Sequence, residues 1–306
     1  MSKDFKLSCA GRILELGKTR VMGVLNVTTD SFYEGSRCTN LDDTLRRAEA
    51  MLKAGADLLD VGGESTSKMV QKYGYTNDSE RYVGGQSAET VKGDTANCTQ
   101  ELERVVPVVE ALVSRFDCIV SVDTSSAPVI REVARAGAGM INDIRALQRD
   151  GALEAAVEIE LPVILMHSLV NHPDPGFVPH YDDLIAEVTG YLKQRVDVCE
   201  KAGIARERLL IDPGFGGGLF GKTPADDLSM LKNFSRFHEL NLPILVGMSR
   251  KSFIGATLDK DPGGRLPGSL AVALMASQAG VHILRVHDVP ETCDVLRMLE
   301  AISQAT

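Results

Sequence analysis

Asp60, Asp123 and Asp212 each stand near the end of a short apolar run: LLDVGG from Leu58, CIVSVDT from Cys118 and LLIDPG from Leu209. Five more such runs end on Asn26, on Asn142 with Asp143, on His167, on Ser249 with Arg250 and Lys251, and on Arg285 with His287. A polar group in an apolar strand costs free energy unless it is paired, so its recurrence at one end is informative. Any one of these residues reads equally well as a helix cap or a satisfied core group; a whole ring of them does not. The carboxylates are acceptors and Asn142 is both donor and acceptor, which suits a heterocycle edge carrying amino and ring N–H groups. Lys251, Arg285 and His287 supply positive charge for a phosphate-rich group. Asn26 is a neutral oxygen ligand, suited to a Mg2+ that keeps several waters and substrate phosphates. The chain shows no His or Cys/His zinc constellation, no GxSxG and no GxxxxGK[ST].

The elements that carry these residues alternate. The eight apolar runs begin at Val21, Leu58, Cys118, Met140, Pro162, Leu209, Pro243 and Ile283, and they read as buried parallel strands. Amphipathic helical stripes follow, at Leu41 to Ala54 and Leu102 to Val113, and further helices are predicted to begin near Ala127, Ala152, Asp182, Ala225, Ser269 and Glu291. AGA at Ala54 to Ala56 and at Ala136 to Ala138 supplies a left-handed glycine cap behind two of the helices. Alternating strands and helices with no sign of a second domain predict a single-domain α/β fold, a (β/α)8 TIM barrel over residues 1–306. All the strand ends named above then meet on the catalytic face of the barrel. The first ten or so residues read as a short hairpin capping its bottom.

Length and composition agree. The chain has 306 residues, 44% hydrophobic and 25% charged, enough for one sizeable core. A net charge of -9 argues against nucleic acid and anionic membrane as partners. The six cysteines have neither zinc nor redox spacing, and the N-terminus lacks an apolar leader, so a cytoplasmic protein with reduced thiols is expected. Two segments break the rhythm: a polar, glycine-containing βα loop over 67–98, and GGGLFGK behind Asp212. Loops of the first kind are usually functional or disordered.

At these residues the chain resembles the dihydropteroate synthases of the pterin-binding family. MGVLNVTTDSF from Met22, ADLLDVGGEST from Ala56, SVDT at Ser121, IND at Ile141, MH at Met166, IDPGFG at Ile211, VGMSRKSFIG at Val246 and LRVHD at Leu284 follow in family order. MSRKSFIG and LRVHD are the most specific of them. The resemblance implies a transferase of folate biosynthesis that joins 6-hydroxymethyl-7,8-dihydropterin pyrophosphate to p-aminobenzoate and releases pyrophosphate. It implies that Asp60, Asp123, Asn142, Met166, Asp212 and Lys251 surround the pterin. It implies that Asn26, Arg285 and His287 hold pyrophosphate and Mg2+, with Asn26 as metal ligand, and that Asn26, Lys251, Arg285 and His287 are the catalytic set. Thr66, Phe220, Ser249 and Ser252 match positions at the p-aminobenzoate site. A homodimer and sensitivity to sulfonamides are implied as well.

Two departures lie at the arylamine end. The family's STRPG is here Ser65-Thr66 followed by Ser67-Lys68-Met69, and DPGFGFGK is here DPGFGGGLFGK, in which Gly217, Gly218 and Leu219 read as an inserted triplet. They leave open whether Phe215 or Phe220 faces the second substrate, and they predict reduced sulfonamide sensitivity. Two rival readings share the Asp and Asn ring: a corrinoid-dependent methyltransferase, against which Lys251, Arg285 and His287 argue, and a non-catalytic paralogue.

Overall fold

The structure, a computed structural model, describes residues 4–27, 37–62, 94–169, 179–216 and 220–305, with the side chains of 37–40 and 94–97 left out. The chain opens with an antiparallel hairpin of β1 (Lys6–Cys9) and β2 (Arg12–Glu15). Eight parallel strands follow: β3 (Arg20–Asn26), β4 (Leu58–Gly62), β5 (Ile119–Asp123), β6 (Met140–Asp143), β7 (Val163–Met166), β8 (Leu209–Asp212), β9 (Leu245–Val246) and β10 (Ile283–Val286). They lie in the order β8-β7-β6-β5-β4-β3-β10-β9. A parallel bridge from Ile211 to Ile244, with Ile211 N–H donating to Pro243 O at 3.0 Å, joins the two edges and closes the predicted barrel.

Helices α1 (Arg37–Ala54), α2 (Asp94–Arg115), α3 (Ala127–Arg135), α4 (Ala152–Ile159), α5 (Leu184–Lys201), α6 (Pro224–Lys232), α7 (Ser252–Leu258), α8 (Leu266–Gln278) and α9 (Val289–Gln304) connect the strands. None among the described residues is long and apolar enough to cross a membrane. Two expectations need correcting. Helix α2 starts at Asp94, so residues 94–98 are helical rather than part of the long loop, whose residues 67–93 lie outside the described ones. Its polar first turns carry no apolar stripe, and the periodicity shows only from Leu102. One helix was expected near Ser269, yet SFIGATL forms α7 first; Asp259, at φ +51°, ends it, and Pro267 sits in the first turn of α8. The glycines of both AGA turns take the left-handed conformation, Gly55 at φ +111° and Gly137 at +97°.

Strand side chains alternate between the barrel axis and the helix layer. Val21, Leu59, Val120, Ile141, Val163, Leu209, Ile244 and Leu284 face outward and join one large core with the helices. Met22, Leu58, Ile119, Met140, Ile164, Leu210, Leu245 and Ile283 face inward and form a second apolar cluster with Leu7, Cys9, Leu14 and Leu16 of the hairpin. The hairpin therefore plugs the bottom of the barrel, as the sequence predicts. Two residues further along each strand the inward positions become Asp60, Ser121, Asn142, Met166, Asp212 and Arg285. The polar ring is the layer of the barrel interior above this apolar plug.

Candidate active site

Arg285 stands in the middle of this layer. Its Nε donates to Asp60 Oδ2 at 2.7 Å and one Nη to Asp123 Oδ2 at 3.1 Å. Asn142 Nδ2 donates to the same Asp60 oxygen at 3.3 Å. Asp60 is fully buried, and two buried atoms here, Asp60 Oδ1 and Ser121 Oγ, have no hydrogen-bond partner among the described residues. Register places Asp60 and Ser121 side by side on β4 and β5. Asp123, one step nearer the mouth, keeps 21% of its side chain exposed. Burial, followed by Asp60 and Asp143, raises its carboxyl above the usual range against the pull of Arg285. Asn26, at the end of β3, is exposed at the mouth, and its Oδ1 shares with Asp123 the space over Gly62.

On the opposite wall Asp212 accepts the Gly214 N–H at 2.7 Å. Burial pushes its carboxyl up to about 6, while that N–H, Lys251, Lys222 and Arg285 restrain it. Lys251 Nζ donates to Phe215 O at 2.9 Å and lies 4.7 Å from the centroid of the Phe220 ring, a cation–π contact. Burial holds Lys251 down to about 8. Phe220 and Lys251 close over Gly216, where a Cβ would meet Lys251 Nζ at 2.7 Å and Phe220 Cε2 at 2.8 Å. Phe215, by contrast, is buried in the outer core against Phe253. Phe220 is therefore the phenylalanine that faces the site. Met166 is buried in the same layer as Asn142 and Asp212.

His287 differs from expectation. Its Nδ1 lies 3.1 Å from Ser249 Oγ, and burial, Arg285 and Lys251 hold the ring down to about 4. At neutral pH it is an uncharged N–H donor rather than a cation. Ser249 is committed to His287 through this contact and through the His287 backbone N–H at 3.3 Å. Ser252 is exposed at the start of α7. Thr66 lies outside the described residues.

Three members of the sequence-derived ring face the wrong way. Asp143 and His167 each follow an inward residue and therefore point into the helix layer. Asp143 accepts Ser125 Oγ and the backbone N–H groups of Arg145 and Leu147, tying a loop. Arg250 forks onto Asp288 at 2.7 and 2.8 Å and donates to Pro262 O. Sequence reasoning missed Ser121 and Lys222. Ser121 is legible by parity, two residues before Asp123. Lys222 is not, since a lysine after a glycine-rich loop reads as exposed, yet it is buried against His167.

Comparison with known proteins points to one family. A family described as "Pterin binding enzyme" matches residues 22–81 and 82–287. A dihydropteroate synthase of Escherichia coli K12 is 47% identical over 300 residues, covering 98% of this chain and 97% of its own. A Xanthomonas albilineans dihydropteroate synthase solved with 4-aminobenzoic acid superposes with a TM-score of 0.82 at 42% identity, covering 99% of this chain and all of its own. A Yersinia pestis dihydropteroate synthase in a sulfonamide drug complex gives a TM-score of 0.82 at 45% identity over 99% of this chain and all of its own.

Proposed function

We propose, from the premise that this chain belongs to the pterin-binding enzyme family among its dihydropteroate synthases, that the barrel mouth holds the pterin edge on Asp123, Asn142 and Asp212, and its pyrophosphate on Arg285 and His287. The chain is a transferase that condenses 6-hydroxymethyl-7,8-dihydropterin pyrophosphate with p-aminobenzoate. Its match to the synthases sets aside the methyltransferase and non-catalytic readings. The observation that carries the residue assignment is the fork of Arg285 onto Asp60 and Asp123 beside Asn142. It joins a cation for phosphate to acceptors for a donor-rich ring within one layer.

In this reading Asp60 orients Arg285 and Asn142 from behind. Met166 packs against the pterin face, and Lys251 lies on its other side with Phe220 and Ser252 toward p-aminobenzoate. The bond between the pterin methylene and the pyrophosphate oxygen breaks with both electrons leaving on oxygen. Arg285 and the His287 N–H meet the charge that develops there. The carboxylates favour the cationic methylene left behind. The arylamine nitrogen, already a nucleophile, forms the new C–N bond and loses a proton, so no serine or cysteine nucleophile is required.

The donor set also fits a Mg2+ that arrives with substrate. No group of three His, Cys, Asp or Glu among the described residues could cage a metal. One neutral amide at the mouth, Asn26, suits an ion that keeps its waters and phosphate oxygens. When bound, that ion would offset pyrophosphate charge. A cytoplasmic homodimer belongs to the same reading. The test is pyrophosphate release from the pterin substrate. Release should depend on p-aminobenzoate, and an absence of stimulation by it would overturn the reading.

A further inference from the structure

Lys222 is 1% exposed, among the most deeply buried side chains of the protein, and the chemistry above makes no use of it. Its Nζ lies 2.8 Å from His167 Nδ1. An ammonium can only donate, so Nδ1 accepts and the His167 proton sits on Nε2. Burial, then the Lys222 charge, holds His167 neutral, down to about 2. The imidazole is walled by Tyr191, edge-on at 4.8 Å between centroids, and by Tyr181 at 6.4 Å. The Tyr181 hydroxyl in turn donates to Gly221 O at 2.7 Å, fixing the peptide just before Lys222.

This anchorage backs onto the strand end that carries Asp212. His167 N–H donates to Asp212 O at 2.8 Å. The following turn, closed by Gly214 N–H on the Asp212 carboxylate, lies against both partners. A Cβ on Gly214 would collide with the His167 carbonyl and come within 3.3 Å of Lys222 Nζ, so only glycine fits at this φ of +75°. Burial works against the ammonium, and the charges of Asp227 and Asp212 favour it; Lys251 opposes it and Asp226 assists. Asp227 is itself fully buried and accepts the Gly216 N–H at 3.2 Å.

We propose that Lys222 is a positioning residue for the pterin pocket: anchored on His167 behind the barrel wall, its positive charge holds the Asp212–Gly214 turn and keeps Asp212 an ionised acceptor for the ring edge. The inference rests on the reading that Asp212 binds the pterin. The groups acting on Asp212 are the Gly214 N–H, Lys251, Lys222 and Arg285. Lys251 and Arg285 belong to the substrate side of the site, whereas Lys222 stands behind it. Its loss should therefore leave substrate contacts in place and raise only the pH at which Asp212 takes up a proton.

The test uses the full chain, with Lys222→Gln to keep a donor for His167 Nδ1 but remove the charge, and Lys222→Arg to keep the charge. The Asp212 carboxyl is followed by 13C NMR titration, assigned by its loss in Asp212→Asn, and 6-hydroxymethylpterin affinity is measured calorimetrically over the same pH range. Removing one nearby opposite charge should move the Asp212 midpoint upward by about one pH unit or more. Starting from about 6, that brings protonation to neutral pH, where pterin affinity should fall several-fold. Lys222→Arg should restore both. A Lys222→Gln protein that melts lower but keeps the wild-type Asp212 midpoint would make Lys222 a structural strut only and overturn the proposal. A shifted midpoint with unchanged pterin affinity would instead overturn the assignment of Asp212 to the ring.

Discussion

Arg285 and Asp60 are 225 residues apart in sequence and 2.7 Å apart in space, joined from Nε to Oδ2 at the centre of the barrel. The same guanidinium reaches Asp123, so one cation is shared between two carboxylates. Breaking such a pair from one side leaves the other charge buried without compensation.

Asp60→Ala should therefore destabilise the protein by on the order of 3–5 kcal/mol. Arg285→Lys keeps the charge but cannot span both acids, because a lysine is a single point donor rather than a fork. Urea denaturation should show the first effect, and steady-state kinetics should show a lower kcat/KM for the second. A stable, fully active Asp60→Ala protein would refute the central role of this pair.

Asp123 gives a pH prediction. Its carboxyl is raised above the usual range by burial, so in the empty site it takes up a proton at higher pH than an ordinary aspartate. A ring edge made of N–H donors needs the carboxylate. Pterin affinity should therefore be full in mildly alkaline solution and decline as pH falls below neutrality. Asp123→Ala should lose on the order of 1–3 kcal/mol of pterin binding at neutral pH and flatten the upper part of that decline. Calorimetric titration of the folded variant decides, and unchanged affinity would remove Asp123 from the site.

How much of this was legible in the sequence follows strand parity. Eight apolar runs with polar ends predict the barrel and its mouth, because a parallel strand buried on both sides must be apolar and a polar residue there must have a reason. Position alone does not say which of two adjacent polar residues looks inward. Asn142 and Asp143 are neighbours, yet one bonds Asp60 and the other ties a loop. Counting in twos from the apolar plug separates them, and only the closed barrel shows where that count begins. The charge state of His287 was beyond the sequence for another reason. It depends on burial and on Arg285 and Lys251, which distant segments bring together.

The bottom plug should separate stability from chemistry. Leu7 and Leu14 are buried with the lowest inward layer of the strands, at the end of the barrel away from the polar ring. Leu7→Ala and Leu14→Ala should each cost about 2–5 kcal/mol of stability while leaving kcat near wild type at low temperature. Thermal melts beside activity at 10 °C check this, and a large loss of kcat in a folded variant would contradict it.

Metal dependence tests Asn26. Pyrophosphate release should require Mg2+, and Asn26→Ala should raise the Mg2+ concentration needed for half-maximal rate while leaving affinity for the pyrophosphate-free pterin unchanged. Full activity in excess chelator would end the metal role altogether.

Sulfonamides should inhibit this enzyme less well than they inhibit members of the family with the usual loops. They mimic p-aminobenzoate but carry an extra group on the sulfonyl, and both departures from the family pattern fall in motifs that the resemblance assigns to the p-aminobenzoate end. Gly217, Gly218 and Leu219 lie outside the described residues, but both flanks are tied down. Gly216 N–H is held on the Asp227 carboxylate at 3.2 Å, and Phe220 O accepts the Leu169 N–H at 3.4 Å. Phe220 itself stays under Lys251. The described residues on either side of the triplet, Gly216 and Phe220, are thus each held in place. A site can reject a larger analogue by a clash while keeping the smaller substrate. A clash of roughly 3 kcal/mol corresponds to about a hundredfold weaker inhibition. Sulfamethoxazole inhibition and the p-aminobenzoate KM should be measured on the intact protein and on a variant lacking residues 217–219. Restored inhibition with an unchanged KM would identify the triplet as the discriminating element. Inhibition of the intact protein at concentrations near its p-aminobenzoate KM would show that the insertion leaves the drug's path open, and the prediction would fail.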